Sequence, residues 1–322
     1  TQLNSLFIFL SLKFAKSWWV GIFLVIGLGQ SQSEPVEAAG AAPTQQPVLT
    51  LVTETAAVSL DPDMAPLVPR SVSPTPNGDR VIINTDDRVS LDSREYPWSA
   101  VGRLVIRDPG RAFTCTGSLV QVDWVLTNAH CVVNQETHEL RRSATFQPNL
   151  INGRLENEND EATVDEVLLG TDFSDRSGPN PNDWALLHLT QPLGSRYGTL
   201  RWQALPVETV LGLTNQVELI GYSGDFPSSN PGETAGVHRG CSIQESVENF
   251  WVHDCDSFSG ASGGPLLARV GEDYAVVALH AGGVTDTETE AGLFNYAVKL
   301  DAVVARLNGE PYPPVSSTPL SG

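Results

Sequence analysis

Gly260-Ala261-Ser262-Gly263-Gly264-Pro265 is the stretch from which the rest of the chain can be read. Glycines on both sides of one serine let the backbone turn tightly and approach another group closely. Such a turn carries a hydroxyl and neighbouring amide donors into one small volume, which is what an acyl-transfer nucleophile needs. Glycine-rich turns are also common in all-β proteins, so the meaning of the run depends on what stands upstream.

Upstream, Thr127-Asn128-Ala129-His130-Cys131 follows the apolar run Trp124-Val125-Leu126, and Asp183 opens a second run, Trp184-Ala185-Leu186-Leu187-His188-Leu189. The order is therefore His130, Asp183, Ser262, which among the known triad orders belongs to the chymotrypsin arrangement. Singly, each of these residues reads as a turn, surface or packed residue. Together, in this order and with Cys131 beside the histidine, they resemble the trypsin/chymotrypsin-like serine proteases from about Val81 to Leu307. That resemblance implies two six-stranded antiparallel β-barrels with the active site between them. It also implies roles: Ser262 attacks, His130 transfers the proton, and Asp183 orients the imidazole and stabilises its cation. The amides of Gly260 and Ser262 would form the oxyanion hole, and neither a cofactor nor a metal is required.

Periodicity agrees on class. Short β-like runs at 100–106, 117–122, 124–127, 164–169, 185–189, 216–222, 275–280 and 292–298 are separated by turn residues, and helical periodicity is convincing only over Lys299 to Leu307. The expectation is an all-β architecture with a C-terminal helix.

The 322 residues carry a formal charge of −19, with a pI near 4.5. That charge repels nucleic acid and anionic membranes. The expected partners are protein or peptide substrates, and the expected state is a monomer. Two apolar runs between Leu6 and Leu28, separated by Lys13 and Lys16, read as a secretory signal peptide over 1–33. A retained anchor is the alternative, but the second run is short for a span of roughly 20 residues. Residues 34–80, rich in Pro, Ala and Thr, read as a pro-segment or linker without enough apolar area to offset ordering. A protease domain is expected over 81–309 and a disordered tail over 310–322.

Val81-Ile82-Ile83-Asn84-Thr85-Asp86-Asp87-Arg88, directly after Arg80, is similar to the mature amino terminus of bacterial V8-like glutamyl endopeptidases. The resemblance implies cleavage after Arg80. Four cysteines in an exported chain allow three disulfide pairings. The family's bridge beside the catalytic histidine implies Cys115 with Cys131, which leaves Cys241 with Cys255. Each closes a loop of roughly 15 residues, worth about 3 kcal/mol in the chain-entropy model. Zinc is disfavoured because the cysteines lack paired C-x-x-C spacing.

Two departures bear on mechanism and specificity. Trypsin-like animal enzymes carry an aspartate before the nucleophile to receive the new amino terminus; here Ala261 stands there and cannot accept that bond. In glutamyl endopeptidases a histidine stands where His280 is and a small hydroxyl residue where Ser257 is, and the free amino terminus, here Val81, assists. These groups suit a substrate glutamate, with an imidazolium offsetting its charge. The rival is Asp256, whose spacing from Ser262 matches the aspartate that selects Arg or Lys in trypsin, although Phe258 replaces the pocket cysteine of those enzymes. Ala281, where many members have Trp, leaves the pocket walls undefined. A catalytically silent binding module and an esterase are the other functional readings. His138, His188, His238 and His253 have no motif around them and read as structural.

Overall fold

The computed structural model describes residues 81–174, 179–286, 288–289 and 291–307. The expected signal peptide, pro-segment or linker, and tail lie outside the described residues. After a two-residue strand β1 (Val89–Ser90), six strands close an antiparallel barrel: β2 (Val101–Asp108), β3 (Arg111–Leu119), β4 (Trp124–Thr127), β5 (Ser143–Pro148), β6 (Ala162–Leu169) and β7 (Ala185–Leu189), in the order β2-β3-β4-β7-β6-β5. The β2–β3 hairpin turns at Gly110, whose φ of 81° suits a residue without Cβ. Buried Leu104, Ile106, Leu126, Phe146, Leu187 and Leu189 fill the barrel. Gly102 makes room for Phe146, since a Cβ there would stand 2.4 Å from the ring.

Eight further strands follow: β8 (Arg201–Trp202), β9 (Val217–Gly221), β10 (Gly236–Cys241), β11 (Ile243–Val247), β12 (Phe250–His253), β13 (Pro265–Val270), β14 (Asp273–Thr285) and β15 (Gly292–Lys299). They form the second sheet, in the order β1-β10-β9-β13-β14-β15-β12-β11, with β8 alongside β14. The helix Leu300–Leu307 closes the described chain and buries Leu300 and Val303. The all-β, chymotrypsin-like architecture with a C-terminal helix is thus as expected. The second lobe differs in composition: it has nine strands rather than six, because the N-terminal segment supplies β1, the connection between lobes supplies β8, and a break at Ser242 divides β10 from β11.

The apolar core is continuous from the barrel into the second sheet through Ile220, Tyr222, Leu267, Val276 and Leu279. A separate cluster built on Val217, Leu219, Trp251, Leu266, Val277 and Ala297 fills the far side of the second sheet. Burying one such large apolar side chain is worth about 1.5–3 kcal/mol. Residues 81–91 lie against this lobe: Val81 is fully buried and bridges Ser257, Val89 pairs with Val237, and the Leu91 amide donates to the Ala235 carbonyl. Among the described residues no helix is long and apolar enough to cross a membrane.

Candidate active site

Strand pairing decides where His130 and Asp183 meet. Thr127, the last residue of β4, pairs with Ala185, the first of β7, so the residues after one strand and before the other are neighbours. Asn128 then donates from Nδ2 to the Asp183 carbonyl (2.7 Å), and the short helical turn Ala129–Val132 presents His130. Buried Trp184 anchors the segment next to Asp183. The Asp183 carboxylate takes the His130 amide on Oδ1 (2.9 Å) and faces His130 Nδ1 with Oδ2 (2.7 Å). A carboxylate only accepts, so Nδ1 carries the ring hydrogen and Nε2 keeps its lone pair.

The glycine loop is wired to the same place through Thr116 on β3. The Thr116 hydroxyl donates to the Gly260 carbonyl (2.8 Å) and its amide donates to the Ser262 carbonyl (2.8 Å). That hydroxyl in turn accepts the Tyr222 amide (2.9 Å), while Thr127 Oγ1 donates to the Thr116 carbonyl (2.8 Å). The disulfide Cys115–Cys131 ties the neighbour of Thr116 to the neighbour of His130, and Cys131 Sγ lies 4.0 Å from the Ser262 carbonyl oxygen. Cys241–Cys255 is the second bridge, so both pairings are those expected. Gly260, at φ +101°, is irreplaceable by shape: a Cβ would stand 2.4 Å from the Tyr222 carbonyl oxygen. Among the described residues, neither the Gly260 nor the Ser262 amide donates to a protein acceptor. Ser262 itself is buried.

The residues expected to set specificity lie behind this loop. His280, on β14, receives the Gly263 amide on its carbonyl and donates its own amide to Gly264 (both 2.9 Å). Its ring is buried, and burial, then the charge of His130, lower its pKa to about 3. The expected imidazolium at His280 is disfavoured here, because the charged ring would lose its hydration, and the ring is neutral. His253, read as structural, places Nε2 3.2 Å from His280 Nδ1. The Cys255 amide lies 3.3 Å from His253 Nδ1, and the His253 ring also hydrogen-bonds the Tyr296 backbone. Ser257 donates its single hydroxyl hydrogen to Asn295 Oδ1 (2.9 Å), and Asn295 Nδ2 holds the Val81 and Cys255 carbonyls (3.0 and 2.7 Å).

Asp256 accepts backbone amides on both carboxylate oxygens. Its side chain is fully buried, with Oδ1 taking the Ile83 amide and Oδ2 the Asp87 amide (both 2.8 Å). His238 Nδ1 lies against Asp256, 2.8 Å from its amide nitrogen and 3.2 Å from Oδ2. Thr116 and Asn295 sit on strands with no motif of their own, His253 reads only as structural, and Asn128 is marked in the sequence only by its place in the His130 motif. Three groups of close metal-ligating atoms occur among the described residues. Two contain disulfide sulfurs, and in the third, Asp87, His238 and Asp256, both Asp256 oxygens already accept backbone amides.

A family model described as Trypsin matches residues 88–304. The chain belongs to the trypsin family. Serine protease 23 of Bos taurus is 25% identical over 212 residues, covering 59% of this chain and 52% of that protein. The CLIP domain-containing serine protease B10 of Anopheles gambiae is 25% identical over 214 residues, covering 54% and 56%. The chain therefore spans about half the length of these curated trypsin-family relatives. Among solved structures, a Glu endopeptidase in complex with MPD has a TM-score of 0.58 at 22% identity, covering 71% of this chain and 98% of that one. The thermostable serine protease AL20, from an extremophilic microorganism, has a TM-score of 0.52 at 17% identity, covering 66% and 96%. At these identities both show the fold of the trypsin family.

Proposed function

We propose that this chain is a secreted serine endopeptidase in which Ser262, His130 and Asp183 form the triad. The observation that carries the reading is the His130–Asp183 pair, with Nε2 left as a base, beside a serine loop whose Gly260 and Ser262 amides have no acceptor among the described residues. Ser262 Oγ attacks the scissile carbonyl as His130 Nε2 takes its proton, and the oxyanion is held by the two amides. The imidazolium, stabilised by Asp183, then protonates the leaving amine, and water repeats the sequence on the acyl-enzyme. Two disulfides agree with an oxidising destination.

Cleavage after glutamate is the specificity this site supports best. His280, neutral and held against the buried His253 ring, supplies a hydrogen-bond donor, and Asp256 is committed to the Ile83 and Asp87 amides rather than to a cationic side chain. Ser257 has its hydrogen on Asn295 and acts through that neighbour instead of on the substrate. A neutral imidazole leaves the substrate charge unbalanced, and an α-amino group created by cleavage after Arg80 would carry that balance at Val81.

The test is digestion of an unbiased peptide library by the full chain and by a version beginning at Val81, each beside its Ser262→Ala control. Cuts after Glu that the control lacks support the reading. Cuts after Arg or Lys move the pocket to Asp256, ester turnover without peptide cleavage marks an esterase, and no control-sensitive cuts mark a silent module.

A further inference from the structure

The oxyanion donor at Gly260 depends on the orientation of one peptide unit, because the Gly260 N–H shares its amide plane with the Ser259 carbonyl. That carbonyl points away from the N–H and accepts the Gly224 amide at 2.7 Å. Gly224 is followed by Asp225, and Asp225 is held by both ends of one guanidinium: Arg88 Nη1 to Oδ1 at 2.9 Å and Nη2 to Oδ2 at 2.8 Å. Arg88 also donates from Nε and Nη2 to the two Asp86 oxygens (2.8 and 2.9 Å), and its guanidinium carbon lies 4.9 Å from the centre of the Phe226 ring. Its side chain is only 3% exposed. Two fork-to-carboxylate contacts on one buried guanidinium fix position as well as charge.

The same N-terminal segment grips the other flank of the loop. Asp256 takes the Ile83 and Asp87 amides, and the Ser257 amide donates to the Val81 carbonyl (3.0 Å). Residues 81–88 thus hold the Asp256–Gly260 stretch from both ends. Ala261, with no carboxylate, packs its methyl side chain where a Cβ on Gly221 would stand 2.7 Å away.

We infer that Arg88 is a positioning residue for the oxyanion hole, locking the Ser259–Gly260 peptide through Asp225 and Gly224 so that the Gly260 N–H faces the reacting carbonyl. The inference rests on the protease reading above for the role of that N–H, while the mechanical coupling from residue 88 to residue 260 stands apart from it. Arg88→Met removes the fork, Arg88→Lys keeps the charge without the fork, and Asp225→Asn weakens the same link from its other end.

In the folded full chain, Arg88→Met should lower kcat roughly 10- to 100-fold, less than the 10²- to 10³-fold of deleting a donor outright. KM should stay near its original value, and binding of a peptide aldehyde, whose adduct places an oxyanion in the hole, should weaken by the same factor as kcat. Arg88→Lys should fall between Met and the original chain. Folded Arg88→Met and Asp225→Asn chains with unaltered kcat, or with a change in KM alone, overturn the inference. Hydrogen exchange separates it from the parent reading: Arg88→Met should speed exchange across 256–263 whether or not the chain is active. Unaltered exchange there overturns the coupling, and the absence of control-sensitive cleavage by both the full chain and the version beginning at Val81 overturns the protease reading.

Discussion

His253 and His280 face each other Nε2 to Nδ1 at 3.2 Å, carried by β12 and β14 on either side of β15. Both rings are fully buried within a sheet, and one hydrogen bond joins them. Burial lowers the pKa of His253 well below its ordinary value, with the facing His280 adding to it, and lowers that of His280 to about 3. In the unfolded chain each takes a proton near pH 6.5. Between that value and about 3 the unfolded state binds more protons, so stability rises with pH and is lost on acidification. We expect the melting temperature to fall steadily from pH 6.5 towards pH 4, with a shallower fall in His253→Gln. Parallel slopes in the two chains would count against the assignment.

His238 has the opposite sign. Burial opposes its charge, but Asp256, with Asp87 and Asp254 further off, raises its pKa overall. A raised pKa gives stability that is complete below about pH 6.5 and is lost as pH rises through the folded value. His238→Asn should therefore flatten the melting profile on the alkaline side of neutrality while leaving the acid limb in place. Thermal melts across pH 6 to 9 decide it.

Asp183→Asn should leave the fold intact and remove most of the activity. The amide can still accept the His130 backbone N–H through its oxygen, but its NH2 would then face Nδ1 and favour the tautomer with the hydrogen on Nε2. Nε2 would no longer be a base. The expected loss in kcat is roughly 10⁴-fold with little change in melting temperature. Steady-state kinetics on a peptide substrate, beside a thermal melt, tests both halves.

What could be read from the sequence was local. The Ser262 loop, the His130 segment and the Asp183 turn each carry their chemistry within a few residues, and Cys131 stands beside His130, whereas its partner Cys115 lies on β3. Periodicity does not mark the strands 143–148, 236–241, 243–247, 250–253 and 265–270, because polar residues such as Gln147, Arg239 and Gln244 interrupt their alternation, and Phe250–His253 is four residues long. His253 looked structural because its partner comes from the next strand but one. The double role of residues 81–88 was equally hidden: Arg88 and Asp225 are 137 positions apart, and the Asp256 carboxylate is filled by backbone amides that no side-chain pattern records.

The glycines of the loop should separate into shape and dihedral costs. A Cβ at Gly263 would come within 2.1 Å of Thr127 Oγ1 and 2.3 Å of the Thr116 carbonyl oxygen, at φ +79°. Gly271 has a similar φ of +71° with nothing within 4 Å. Gly271→Ala should cost only the left-handed penalty of about 1–2 kcal/mol and keep activity. Gly263→Ala should cost more than that and abolish turnover, because the clash falls on the Thr116 hub. Denaturant titration with an activity assay on both variants checks the contrast.

Asp256→Asn discriminates between two uses of one carboxylate. Both oxygens accept backbone amides in a fully buried position, so the substitution points an NH2 at the amide of Ile83 or Asp87 and leaves donors facing each other. An unsatisfied buried polar group costs about 1–3 kcal/mol. The variant should melt lower and exchange faster over 81–91, with the residue preceding each cleaved bond unchanged. A pocket-base aspartate predicts the reverse: an intact amino-terminal segment and loss of selection for Arg or Lys. Melting, hydrogen exchange and library digestion on the one variant distinguish the two, and a shift in cleavage preference without faster exchange at 81–91 would return Asp256 to the pocket.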